Sequence, residues 1–132
     1  VLIQKGNKKL SSAEIANLLN QLNEEGGFSM SVLTDMQGFP LASSNSESID
    51  PERQAAVMAK VQKTLQQVSS HMGMGTPDEV IVSDIDGNRL VSRTFSIKDF
   101  ELILSIQIPN RKQAYRGLMN KLIKNIQMSW ML

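Results

Sequence analysis

Cysteine is missing from this sequence altogether, and its absence excludes disulfides, zinc–thiolate sites and thiol nucleophiles at once. Aromatic side chains make up only 5% of the chain, too few to interleave with cations as a base-stacking platform, so no nucleic-acid partner is expected. There is one histidine, His71, with no catalytic partner near it in sequence. Apolar runs such as residues 102–104 are far too short to span a bilayer, and no charged-then-apolar leader opens the chain. Neither sign of charge dominates: 14 Lys and Arg against 13 Asp and Glu leave a formal net charge of +1. A Gly-x-Ser-x-Gly elbow, a phosphate-binding loop and a dinucleotide fingerprint are all lacking. These absences point to a cytoplasmic protein that is not an enzyme and needs no cofactor or metal.

What is present fits one folded domain. A chain of 132 residues, 41% hydrophobic, can bury a single core. We expect a flexible segment over residues 1–10, a domain over 11–127 and a tail over 128–132. Ser11 with Glu14 three positions on predicts a capping box, Leu10 and Ile15 a hydrophobic staple, and Gly26-Gly27 a helix stop. Ile15, Leu18, Leu19 and Leu22 form one apolar face that must cover something else. Asp50 and Pro51 open a second helix ending near Gly73 or Gly75. On that helix Met58, Val61, Leu65, Val68 and Met72 make the stripe expected to cover a sheet, while Ala55, Ala56 and Ala59 offer a small-residue surface for a second helix. A third helix, capped by Asn110, buries Tyr115, Leu118, Met119, Leu122 and Ile126.

The strands announce themselves through a repeat. Asp35-x-x-Gly38-x-x-Leu41-x-Ser43 returns as Asp84-x-x-Gly87-x-x-Leu90-x-Ser92, which predicts two tight hairpin turns with a positive φ at each glycine. Pro40 lacks the amide hydrogen of an interior ladder and assigns its strand to a sheet edge. Residues 100–108, apolar at every second position from Phe100 to Ile108 and again at Ile103, read as a central strand covered on both faces. The order is α-β-β-α-β-β-β-α, an α+β layered domain with an antiparallel sheet.

Other candidate chemistry is thin. Residues 84–88 resemble the start of a calcium loop, but glycine comes fourth rather than sixth and Phe95 stands where a bidentate Glu is needed. Glu24-Glu25 and Asp84/Asp86 read as solvated carboxylates, and the Ser-rich stretch 43–48 as a loop. From residue 109 onward there are five cations, Arg111, Lys112, Arg116, Lys121 and Lys124, and no acid. Their expected role is a solvated outer helix face, with no membrane contact.

The capped helix, the Asp-x-x-Gly-x-x-Leu-Ala-Ser hairpin, the alanine-bearing middle helix and the three-stranded second half, taken in order over about residues 11–127, resemble a roadblock/dynein light chain domain of the single-domain prokaryotic type. The resemblance implies a five-stranded antiparallel sheet with the middle helix on one face and the terminal helices on the other. It also implies a homodimer whose middle helices pack together and whose third strands, near 79–83, pair edge to edge. The family binds and regulates Ras-like small GTPases or scaffolds complexes, without a cofactor. On this reading Ala55, Ala56, Ala59, Gln62, Val80, Ile81 and Val82 form the dimer interface, and Arg53, Arg89 and Arg93 are candidate partner contacts. Two alternatives are a small-molecule sensor of the PAS or GAF sort, with a pocket lined by Met30, Met36 or Met58, and a longin-type trafficking adaptor using the basic last helix.

Overall fold

The computed structural model describes residues 3–5, 8–45, 50–110 and 112–130. Its elements in order are β1 (Ile3–Lys5), β2 (Lys8–Leu10), α1 (Ser12–Gly26), β3 (Met30–Asp35), β4 (Pro40–Asn45), α2 (Pro51–His71), β5 (Glu79–Ser83), β6 (Arg89–Ile97), β7 (Phe100–Ile108) and α3 (Arg116–Trp130). Strands β3 to β7 form one antiparallel five-stranded sheet in the order β4-β3-β7-β6-β5. Pro40 therefore lies on an edge strand and β7 at the centre, as their residues predict.

Local chemistry sets the elements. Ser11 Oγ accepts from Glu14 N at 3.1 Å while Glu14 Oε1 accepts from Ser11 N at 3.2 Å, closing the capping box. Gly27 ends α1 in the left-handed conformation, φ 67°. The repeated turns are the same object twice. Asp35 Oδ1 accepts from Gln37 N (3.0 Å) and Phe39 N (2.9 Å); Asp84 Oδ1 accepts from Asp86 N and Asn88 N, both at 2.9 Å; Gly38 and Gly87 each have φ 95°. The carboxylate organises the loop and the glycine supplies the backbone that other residues avoid.

Register assigns the sheet faces. Ser31 Oγ donates to Leu19 O of α1, so Ser31 and Leu33, with Leu102, Leu104, Ile106 and Ile108 of β7 and Val91 and Phe95 of β6, face α1 and α3. This is the main core, where Ile15, Leu19, Met119 and Ile126 are buried. The opposite face, Met30, Val32, Thr34, Ile103 and Ser105, is covered by α2.

Several expectations change. Residues 1–10, read as flexible, carry the β1–β2 hairpin, which packs on α3. Asn110 does not cap α3: its Oδ1 accepts from Lys112 N within a turn, and the helix begins after Tyr115, whose carbonyl accepts from Met119 N. α3 also runs through 128–130, part of the expected tail, because no Gly or Pro interrupts it after Gln127, and Ser129 is buried there. Phe100 is exposed rather than inward, since β3 pairs β7 only as far as Leu102. Of the Ser-rich stretch, residues 46–48 lie outside the described residues.

Candidate interaction surface

The second helix turns Met58 of the expected stripe inward but leaves the rest of that stripe at its outer side. Its buried face is Ala55, Met58, Ala59, Gln62 and Ser69, so the small residues meet the sheet and the valines look outward. The cause lies below them. A Cβ on Gly38 would come 3.2 Å from Ala56 Cα and 3.6 Å from Ala59 Cβ, so the first hairpin turn rests directly on α2 and only short side chains fit between. Val57, Val61, Leu65, Val68 and Met72, spaced by four, four, three and four, form an outward apolar line. Val57, Val68 and Met72 in it are exposed, and Val61 and Leu65 half-buried.

A second open surface is the free edge of β5, the last strand in the sheet order. Thr94 N donates to Asp78 O (3.2 Å) and Asp84 N to Asn88 O (3.0 Å), which fixes the parity of the β5–β6 ladder. Val80 and Val82 point their backbone groups at β6, and Glu79, Ile81 and Ser83 point theirs away from it. These outward N–H and C=O groups belong to a strand whose side chains are also open, with Ile81 45% and Val82 54% exposed. Val82 and half-buried Val80 lie on the α2 side of the sheet, and Ile81 on the α1/α3 side. Such an edge, apolar and five residues long, is a template for another strand.

The predicted site residues divide accordingly. Val80, Ile81 and Val82 come together at this edge, and Ala56 is exposed on α2. Ala55, Ala59 and Gln62 lie inside the protomer, and Gln62, 1% exposed, donates through Nε2 to Pro77 O, tying α2 to the entry of β5. Arg53 is exposed near the start of α2. Arg89 and Arg93 are committed internally. Arg89 donates to Asn110 O and Gln113 O at 2.9 and 2.7 Å, and Arg93 pairs with Asp78 at 3.7 Å and Asn120 Oδ1.

Sequence reasoning missed the cluster that holds β5 in place. Tyr115 Oη donates to Glu79 Oε1 at 2.7 Å, Arg116 reaches the same oxygen at 3.3 Å, and the Arg89 and Arg116 guanidinium groups lie 5.4 and 5.5 Å from the Tyr115 ring centroid. Burial pushes the Glu79 carboxyl up, but the hydrogen bonds from Tyr115 and Arg116 and the nearby arginine charges outweigh it and hold it below its ordinary value. Burial and the bond to Glu79 raise the Tyr115 hydroxyl. The partners are 36 and 37 residues apart, beyond any local signal.

His71 is exposed, with Nδ1 2.9 Å from Gln67 O of its own helix. Among the described residues no group of three or more His, Asp or Glu could hold a metal, and no helix is long and apolar enough to cross a membrane.

A family model for the Roadblock/LC7 domain matches residues 14–93. Among solved structures, the gliding protein mglB from Thermus thermophilus superposes with a TM-score of 0.72 at 14% identity, covering 98% of this chain and 95% of that one. Myxococcus xanthus MglB gives 0.68 at 16% identity, covering 88% and 90%. A Roadblock/LC7 domain from Streptomyces avermitilis gives 0.69 at 15% identity, covering 86% and 92%. At such identities the likeness is one of fold. No curated protein is significantly similar to the chain in sequence.

Proposed function

This chain belongs to the Roadblock/LC7 domain family, and from that membership we propose that it is a non-catalytic, homodimeric adaptor that binds and regulates a Ras-like small GTPase. The observation that carries the dimer is the free β5 edge, with its outward backbone groups and open side chains, in a protomer that also exposes the apolar line of α2. A second copy satisfies both, because its own β5 offers the same three outward-facing residues and its own α2 the same valines.

The parity of the edge selects a register. Antiparallel pairing of β5 with itself uses every outward group of Glu79, Ile81 and Ser83 only when Glu79 faces Ser83 and Ile81 faces Ile81 across the two-fold axis. A shift by two residues leaves one of the three residues without its bonds. In this arrangement the two sheets become one of ten strands, Val80 and Val82 come beside the partner's α2, and the edge is removed from solvent. Arg53 remains as the candidate charged contact to the GTPase. Met30 and Met58, which a sensor domain would use to line a pocket, are buried on the two sides of the α2–sheet contact.

The test uses the chain and a Ras-like GTPase from the same source, loaded with GDP or a GTP analogue. Light-scattering mass should show a dimer that retains one nucleotide state in preference to the other. Ile81→Pro removes an amide hydrogen that β6 does not use, and should give a folded monomer that no longer retains the GTPase. A wild-type monomer indifferent to both states overturns the proposal.

A further inference from the structure

Along α2 the charges are sorted as well as the apolar residues. Residues 53–77 hold Arg53, Lys60 and Lys63 and no acid. Lys60 and Lys63 are exposed, and among the described residues neither has an ion-pair partner. Both line a groove of about 290 Å³ between the helix and the first hairpin turn, with Gln37, Ala56, Ala59 and Gln67.

The walls of this groove are set by the fold itself. Gly38, with φ 95°, brings the turn against Ala56 and Ala59, and the Asp35 carboxylate accepts from Gln37 N and Phe39 N. Asp35 is thereby committed to its own loop, and Glu52, the nearest acid on the helix, stands about two turns before Lys60. The lining offers two ammonium groups one turn apart, the side-chain amides of exposed Gln37 and Gln67, and alanine methyl groups. Ammonium and amide donors suit carboxylates, and a lining without a large apolar or aromatic side chain gives no hold to an apolar anchor or a stacked base. Exposed Arg53, seven residues before Lys60 and so on the same side of the helix, extends the row of cations to about 15 Å. That is the length of about five residues of extended chain, and too long a row to centre on one small anion.

We propose that this groove docks an extended acidic segment of a protein partner, with carboxylates on Lys60 and Lys63. On the functional reading that partner is the GTPase, and the identity of the partner rests on that reading. The groove stays open in the dimer: its turn joins β3 to β4, and β4 is the sheet edge opposite β5.

The experiment is NMR titration of the isotope-labelled full chain with hexaglutamate. The amides of Gln37, Lys60, Lys63 and Gln67 should shift saturably, and raising the salt to 0.5 M should suppress the response. An exposed ion pair contributes up to about fivefold, so Lys60→Glu with Lys63→Glu should weaken the peptide at least about tenfold. Both side chains are exposed, and an unchanged melting temperature confirms that the variant is folded. The same variant should also release a GTPase that the wild type retains. A wild-type chain that retains no GTPase sinks the functional reading, while the peptide titration still decides the groove. Shifts that gather on Lys121 and Lys124 instead, a double variant that binds hexaglutamate as the wild type does, equal shifts with inorganic phosphate, or tighter binding of a DNA duplex each overturns the proposal. A double variant that keeps the GTPase as firmly as the wild type overturns the GTPase as its occupant.

Discussion

Ala59 lies where the first hairpin turn meets the middle helix. Ala55 and Ala59 let the Gly38 turn and the sheet approach α2, and the valines are left outside. Both stripes were visible in the sequence, but periodicity alone could not say which one turned inward, because that depends on the turn pressed against them from twenty residues away. The consequence separates two substitutions. Ala59→Arg places a charge at a position 3% exposed and should lower stability by about 3 kcal/mol or more. Val68→Arg, at a position 45% exposed, should leave the thermal midpoint within a few degrees while shifting the light-scattering mass toward the monomer. An Ala59→Arg variant that melts like the wild type would contradict the observed helix orientation. The paired Asp and Gly turns were legible throughout, since a carboxylate two and four residues from the amides it accepts needs nothing distant. Arg89 and Arg93 were not, because their partners on and before α3 stand 21 to 27 residues away.

Among the elements, α1 was legible almost completely from its capping box and its glycine stop, whereas α3 was misplaced at its start because Asn110 makes a turn of its own. The N-terminal hairpin was missed, since two three-residue strands carry too little periodicity to read. β5 was placed correctly, but not what anchors it. Glu79, its first residue, is fixed by Tyr115 and Arg116, and this makes the edge strand sensitive to acid. The Glu79 carboxyl is lowered in the folded chain, so its stabilisation is complete above its ordinary value of 4.5 and disappears as the pH falls through the lowered folded value. Glu79→Gln should therefore melt below the wild type at neutral pH, and the two melting curves should converge as the pH is taken below 4.5. Melting temperatures that fall in parallel across that range would show that the cluster does not anchor the strand through its charge.

For the whole molecule, the sheet divides two tasks. Its α2 face and free β5 edge carry the apolar surface assigned to a second copy and, through it, to a GTPase; its α1/α3 face buries the main core. The layered antiparallel fold was legible because short turns set the β3–β4, β5–β6 and β6–β7 pairs and patterning marks the strands. The pairing of β3 with β7 was not, because it joins strands that lie on either side of α2 in the chain. The central claim is that a second copy closes the β5 edge with Ile81 on the two-fold axis, and the absence of cysteine makes it directly measurable. In that register the two Ile81 Cα atoms lie about 5.5 Å apart, within disulfide reach, while those of Val80 lie roughly 8 Å apart on a diagonal. Under mild oxidation Ile81→Cys should run as a covalent dimer on a non-reducing gel, and Val80→Cys should remain a single chain. Crosslinking at Val80 but not at Ile81 would contradict the register, and none at either position would contradict the interface itself.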